Sequence, residues 1–156
     1  MHHNDNEVCV TVVDVTKQEI ERPQKRQRDW YSGKKKRYTA KTLINVDTYD
    51  RRILSIASGK GREHDFSVFK RTFDGAHPDV VILGDSGFQG ICDIHSNSWI
   101  PNKKPKVGTL SDGEKVENRR LSGYRICVEH VIRAVKRFRI LSSRYRNRRK
   151  LSPPWA

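Results

Sequence analysis

The sequence predicts a single α/β domain built on a mixed sheet. Three observations point there. Two short apolar runs, residues 8–15 and 79–85, read as buried strands, two further segments joined by a polar turn read as a hairpin, and a late stretch repeats its apolar residues at three and four. At 156 residues the chain suits one compact domain with one core.

Residues 8–15 are rich in β-branched side chains, as expected of a first strand buried on both faces, and Asp14 falls at the end of that run. Residues 17–36 are polar and basic and are broken by Pro23 and Gly33, which reads as a long loop or arm. Loops of about 20 residues are uncommon in compact domains and are usually functional. Segments 38–46 and 52–58, linked by the polar residues 47–50, form the predicted antiparallel hairpin. After Gly59 and Gly61, residues 64–70 read as a short helix with Phe66, Phe69 and Phe73 on one face. The continuous run 79–85 suits a central parallel strand with Asp85 emerging at its carboxyl end. Residues 98–101 read as a last short strand closed by Pro101, followed by a basic linker over 102–108. Ser111 and Glu114 have the spacing of a helix capping box. The helix after them presents Leu121, Tyr124, Val128, Val131, Val135 and Phe138, with Gly123 as the point where it could divide.

Charge narrows the function. There are 32 Lys and Arg against 18 Asp and Glu, a net charge of +14, and only 35% apolar residues. Nine bases against one acid fall in 22–41, and nine more with no acid fall in 133–150. Such clustering is the footprint of a polyanion, and nucleic acid is the first candidate. The competing reading is a set of solvated faces. No apolar stretch approaches the ~20 residues of a membrane span, and no secretory signal opens the chain. Cys9, Cys92 and Cys127 show no CxxC pair, so they read as reduced and mostly buried. The six histidines lack metal-ligand spacing, and the GxxxxGK[ST] pattern of a nucleotide-binding loop is missing.

Three acids carry the chemistry. Asp14 and Asp85 follow apolar runs that should be neighbouring parallel strands, and ligands of open α/β sheets bind at that edge. Glu129 lies in a helical stripe with Arg125, Arg133 and Lys136. Each acid has an ordinary alternative: turn chemistry for the aspartates, and ion pairs with Arg125 and Arg133 for Glu129. One function would explain all three, because carboxylates converging on a basic surface repel one another unless a divalent cation lies between them. Two such ions can drive in-line phosphodiester displacement. Arg22, Lys34, Lys35, Lys36, Arg37, Lys136 and Arg137 are candidate phosphate contacts. Trp30 and Tyr31 could stack on an unpaired base or staple the arm to the domain. Asp65 reads as a helix N-cap, the alternative being a place near the site.

The blocks Val13-Asp14-Val15-Thr16, Ile20-Glu21-Arg22-Pro23 and Tyr31-Ser32-Gly33-Lys34-Lys35-Lys36-Arg37-Tyr38-Thr39 resemble the catalytic domain of bacterial insertion-sequence DDE transposases, in particular the insertion sequence five group. The likeness continues through Gly61-Arg62-Glu63-His64-Asp65-Phe66, Gly84-Asp85-Ser86-Gly87-Phe88-Gln89-Gly90 and Ile100-Pro101-Asn102-Lys103-Lys104-Pro105. It closes with Arg125-Ile126-Cys127-Val128-Glu129-His130-Val131-Ile132 and Lys136-Arg137-Phe138. The resemblance implies a ribonuclease-H-like fold, a five-stranded mixed sheet flanked by helices. It also implies Asp14, Asp85 and Glu129 as catalytic and metal-binding residues, two Mg2+ (or Mn2+) as cofactors, and Arg125 and Lys136 beside the DNA, with Arg133 of the same helical stripe as a further candidate DNA contact. The family often carries a tyrosine where this chain has Ser122.

On this reading, residues 1–7 are a short extension, 8–141 the catalytic domain with its basic loop 17–36, and 142–156 a basic tail. The implied activity is metal-dependent DNA strand cleavage at element ends and transfer of the 3′-hydroxyl to target DNA. The alternatives are a non-catalytic DNA-binding remnant and a nuclease of the same fold without strand transfer. The implied partners are inverted-repeat and target DNA, further copies of the chain assembled on DNA, and a DNA-binding segment from an upstream reading frame, since relatives carry a longer segment before the first acid. The expected location is the bacterial cytoplasm at the nucleoid, with no membrane.

Overall fold

A computed structural model describes residues 9–139 and 141–146. Its sheet is organised around β1 (Val10–Glu19). After the four-residue helix α1 (Gln27–Trp30) and the two-residue β2 (Tyr31–Ser32) comes the hairpin of β3 (Arg37–Asp47) and β4 (Ile53–Lys60). Helix α2 (Asp65–Thr72), β5 (Val81–Leu83), the short α3 (Ile91–Ile94), β6 (Ser98–Trp99) and α4 (Asp112–Arg137) complete the order. Five strands lie in the sequence β4-β3-β1-β5-β6, and β2 adds to the start of β3. β1 runs antiparallel to β3 and parallel to β5, and β5 runs parallel to β6. This is the mixed sheet with flanking helices that the sequence predicts, compatible with a ribonuclease-H-like fold.

Alternation explains why both faces are covered. Successive residues of a strand point to opposite sides, and in three strands the neighbouring pairs Val12/Val13, Leu43/Ile44 and Ile82/Leu83 are all apolar. Val13, Leu43 and Ile82 pack with Val68, Phe69, Phe88 and Ile91 under α2 and α3. Val12, Ile44 and Leu83 pack with Val46, Val128 and Ile132 under α4. Each fully buried aliphatic side chain contributes roughly 1.5 to 3 kcal/mol, so this doubly apolar centre holds the edge that carries the site.

Helix α4 begins with the predicted capping box: the Glu114 N–H donates to Ser111 Oγ (3.3 Å), and the Ser111 N–H donates to Glu114 Oε2 (2.7 Å). It runs unbroken through Gly123. One glycine lowers helix stability by about 1 kcal/mol relative to alanine, which the packing of Val128 and Ile132 outweighs. The buried stripe differs from the predicted one. Ile132 is buried, whereas Tyr124 and Phe138 are exposed. Among the described residues no helix is long and apolar enough to cross a membrane.

Several expectations are corrected. The segment 17–36 is not a continuous loop, because β1 continues to Glu19 and α1 and β2 follow. The polar residues Lys17, Gln18 and Glu19 extend β1 by pairing with Lys41, Ala40 and Thr39 of β3, so backbone hydrogen bonds hold them where apolar burial does not. The first residues assigned to the tail dock on this extension: the Tyr145 N–H donates to Glu19 O (2.8 Å) and the Glu21 N–H to Tyr145 O (2.9 Å). Residues 147–156 of that tail and residues 1–7 of the extension lie outside the described residues. Cys9 and Cys92 are exposed and belong to neither core cluster, against the buried thiols expected, and Cys127 is half-buried.

Candidate active site

Asp14 sits inside β1, opposite Ile44 of β3, rather than at the strand's end. Its position is nonetheless an edge position. β5 stops at Leu83, opposite Val12, so from Val13 onward β1 has lost its parallel neighbour. Continuing that register brings Asp85, two residues beyond Leu83, level with Asp14. The crevice outside the carboxyl end of β5 is where open α/β sheets bind ligands.

The loop after β5 is held at both ends. The Gly84 N–H donates to Trp99 O (3.0 Å), and the Phe88 N–H donates to Asp85 O (3.0 Å) while its ring is buried in the core. Asp85 Oδ1 accepts from the Gly87 N–H at 2.7 Å. In the same way Asp14 Oδ1 accepts from the Val15 N–H at 2.8 Å. One oxygen of each carboxylate is thus pinned by backbone, and the other forms no hydrogen bond among the described residues.

Asp14 is electrostatically loaded. Burial pushes its carboxyl above the ordinary aspartate value, the Val15 N–H and the Arg125 guanidinium pull it down, and the negative charges of Asp85 and Glu129 push it up again. Asp85 and Glu129 are therefore both near enough to Asp14 to repel it. Glu129, exposed on α4, forms no salt bridge with Arg125 or Arg133. The buried Nε of Arg125 has no hydrogen-bond partner among the described residues.

The donor set is one that hard cations favour, carboxylate oxygens without thiolates or imidazoles. Among the described residues, however, no three His, Cys, Asp or Glu side chains stand close enough together to form a ready-made metal centre.

The sequence reading missed a neighbour of the site. Lys41 is buried, and its Nζ donates to Asp65 Oδ1 (2.6 Å) and to the Glu63 carbonyl. Asp65 is not the cap of α2. His64 holds that place, accepting from the Phe66 N–H, and leaves Asp65 free to pair with the lysine. A Cβ on Gly87 would stand 2.8 Å from Asp85 Oδ1 and 3.7 Å from Asp65 Oδ2, so both carboxylates border one small space. The signal was present in the alternation of β3, which puts Lys41 on the same face as the core residue Leu43.

A family model for DDE superfamily endonucleases matches residues 13–154. The chain belongs to the DDE superfamily of endonucleases. It is also similar to the probable transposase for insertion sequence element IS702 of Microchaete diplosiphon, with 43% identity over 141 residues, covering 90% of this chain and 51% of that protein. The chain thus spans about half the length of this curated relative. No solved structure matches it.

On this DDE domain the residues expected at DNA occupy two regions. Lys34, Lys35, Lys36 and Arg37 lie exposed at the β2–β3 turn, with Lys36 in the left-handed backbone region (φ 50°) and Arg37 in a 2.8 Å ion pair with Glu19. Burial and the charges of Lys41, Lys34 and Lys35 hold the Lys17 ammonium below the usual lysine range, with Asp65 opposing. Arg22 is exposed and donates to Gln27 Oε1 (3.1 Å). On α4, Arg133 and Arg137 are exposed, and Arg125 and Lys136 are half-buried. Of the two aromatics, Tyr31 packs edge-on against Tyr38 with ring centres 5.6 Å apart, which favours the stapling role.

Proposed function

We propose that this chain is the catalytic part of an insertion-sequence transposase, which cuts DNA at the element ends and joins the exposed 3′-hydroxyl to target DNA. The observation that carries this reading is Asp14: desolvated at the open edge beside β5, pinned through one oxygen, and repelled by Asp85 and Glu129. A site of this kind gains from a divalent cation. Asp14 and Asp85 would hold it through their unpinned oxygens, with Glu129 completing the site. Magnesium typically takes one or two carboxylates and fills its shell with water and substrate phosphate oxygens, so a closed cage of three protein ligands is not required. A pair of bound Mg2+ or Mn2+ ions would supply Lewis acidity at the scissile phosphate and activate the attacking oxygen.

The chain's own residues do the rest. Arg125 and Lys136 steer phosphates toward the acids, and Arg22, Arg133, Arg137 and residues 34–37 hold the backbone without reading sequence. Glu129 orients the nucleophile. In the first step a water oxygen bonds to phosphorus and frees the element's 3′-hydroxyl. In the second that hydroxyl bonds to a target phosphorus as the target's own 3′-oxygen leaves.

The test uses end-labelled duplex carrying the neighbouring inverted repeats, with Mg2+ or Mn2+ and the longer relative's amino-terminal segment supplied in trans. The protein should nick and join, and Asp85→Ala should bind the same DNA and do neither. Cutting without joining would favour a nuclease, and a folded protein that binds without either step would be a DNA-binding remnant.

A further inference from the structure

A second strongly basic feature has no part in the site above. Between α1, the end of β4 and α2 opens a cleft of roughly 830 Å3. Lys25, Arg26, Lys60, Arg62 and Arg71 line it against Asp29 and Glu63, and none of Asp14, Asp85 and Glu129 does. Two ion pairs use up the acids: Lys60 Nζ to Asp29 Oδ2 at 2.9 Å and Arg71 Nε to Glu63 Oε1 at 3.3 Å. Lys25, Arg26 and Arg62 are exposed and form no salt bridge among the described residues. The cleft therefore holds an excess of three positive charges around one concavity, where their fields add.

The cleft is built into the fold. Gly61 is buried where three segments cross, and a Cβ there would lie 2.4 Å from Thr39 O and 2.5 Å from Trp30 O, so only glycine lets the arm, β3 and the turn after β4 meet. The Arg62 N–H donates to Asp29 O (2.9 Å), tying the arm to the turn after β4, and the Asp29 N–H donates to Arg26 O (3.0 Å), closing a turn within the arm. Arg26 has φ 51°, a left-handed conformation uncommon for a residue with a side chain, and such residues cluster at ligand sites.

We propose that this cleft is a second DNA phosphodiester-backbone site, separate from the basic stripe on α4. An open hollow with bases from three segments suits a run of phosphates, and Trp30 on its wall offers an aromatic face beside them. Helices α2 and α4 cover opposite faces of the sheet, so the two basic regions would hold two DNA segments on different sides of one domain. Strand transfer needs two, an element end and a target. The inference rests on the reading that the chain acts on DNA.

The test measures binding without divalent metal, by fluorescence anisotropy of the full chain over a range of salt. One duplex carries the terminal inverted repeat and the other is unrelated. The variant is Lys25→Gln/Arg26→Asn/Arg62→Gln, with asparagine at 26 because it tolerates the left-handed backbone, and thermal melting checks that it folds. Its plot of log affinity against log salt should be shallower than that of the unchanged chain by about two to three, while Lys25→Arg/Arg62→Lys should keep the original slope. Loss on the unrelated duplex alone assigns the cleft to target DNA, loss on the repeat alone assigns it to the element end, and loss on both assigns it to either. A folded triple variant with unchanged slope and affinity, beside an Arg133→Gln/Lys136→Gln variant that weakens binding, would overturn the cleft and leave the DNA-acting reading standing. An unchanged chain that binds neither duplex would overturn both.

Discussion

At the scale of single residues, Asp14 is a carboxylate held at a thermodynamic disadvantage. Its raised pKa means that the folded chain binds this proton more tightly than the unfolded chain does. From the ordinary value of 3.8 upward to the raised one, the folded state holds the extra proton, so stability falls as pH climbs through that window and the penalty is complete at neutral pH. Asp14→Asn keeps the acceptor for the Val15 N–H and removes the charge. It should raise the melting temperature near pH 7 and leave it nearly unchanged near pH 3, while abolishing strand cleavage; differential scanning calorimetry at the two pH values checks the sign. Asp65 works in the opposite sense. Asp65→Asn would leave the ammonium of Lys41 buried, its side chain only 6% exposed, without its counter-charge. Breaking a buried pair typically destabilises by 3 to 5 kcal/mol, and since solvent reaches Asp65 we expect about 3 kcal/mol in urea unfolding. Lys41→Met/Asp65→Asn should recover most of that loss, because no charge is then stranded.

At the scale of elements, the helix α4 and the strand β1 show what a sequence states openly and what it does not. The capping box at Ser111 and the doubly apolar runs at Val12-Val13 and Ile82-Leu83 are local signals, and the start of α4 and the central strands follow from them. The extension of β1 through Lys17, Gln18 and Glu19 is written nowhere in those residues, because its cause is a partner strand far along the chain. For the same reason Asp14, which the apolar run puts at a strand end, lies inside β1. Its access to the crevice comes from the shortness of β5, a property of the other strand. The Lys41–Asp65 pair was hidden because a lysine in a strand reads as exposed until its alternation with Leu43 is followed. Gly123 looked like a break because propensity is local, whereas the packing that keeps α4 whole is tertiary. A Cβ at Gly123 would meet nothing within 4 Å. Gly123→Ala should therefore stabilise by up to about 1 kcal/mol, which for a chain of this size raises the melting temperature by about 2 to 4 °C, as a thermal scan by circular dichroism would show.

At the scale of the whole molecule, central strands buried on both faces give two helical layers, each with its own basic surface, and one edge past the end of β5 where the continued register would set Asp85 level with Asp14. On the proposed reading, the charge of +14 is divided between regions that would hold a polyanion and the acids Asp14, Asp85 and Glu129 that would act on it. The central claim is that Asp85 holds a metal during strand cleavage, and a change of metal preference tests it most directly. Asp85→Cys replaces a hard oxygen donor with a softer thiolate, which disfavours Mg2+ more than Mn2+. Cleavage of the end-labelled repeat duplex should be lost with Mg2+ and return in part with Mn2+. Cleavage by Asp85→Cys with Mg2+ at the rate of the unchanged chain would contradict the account.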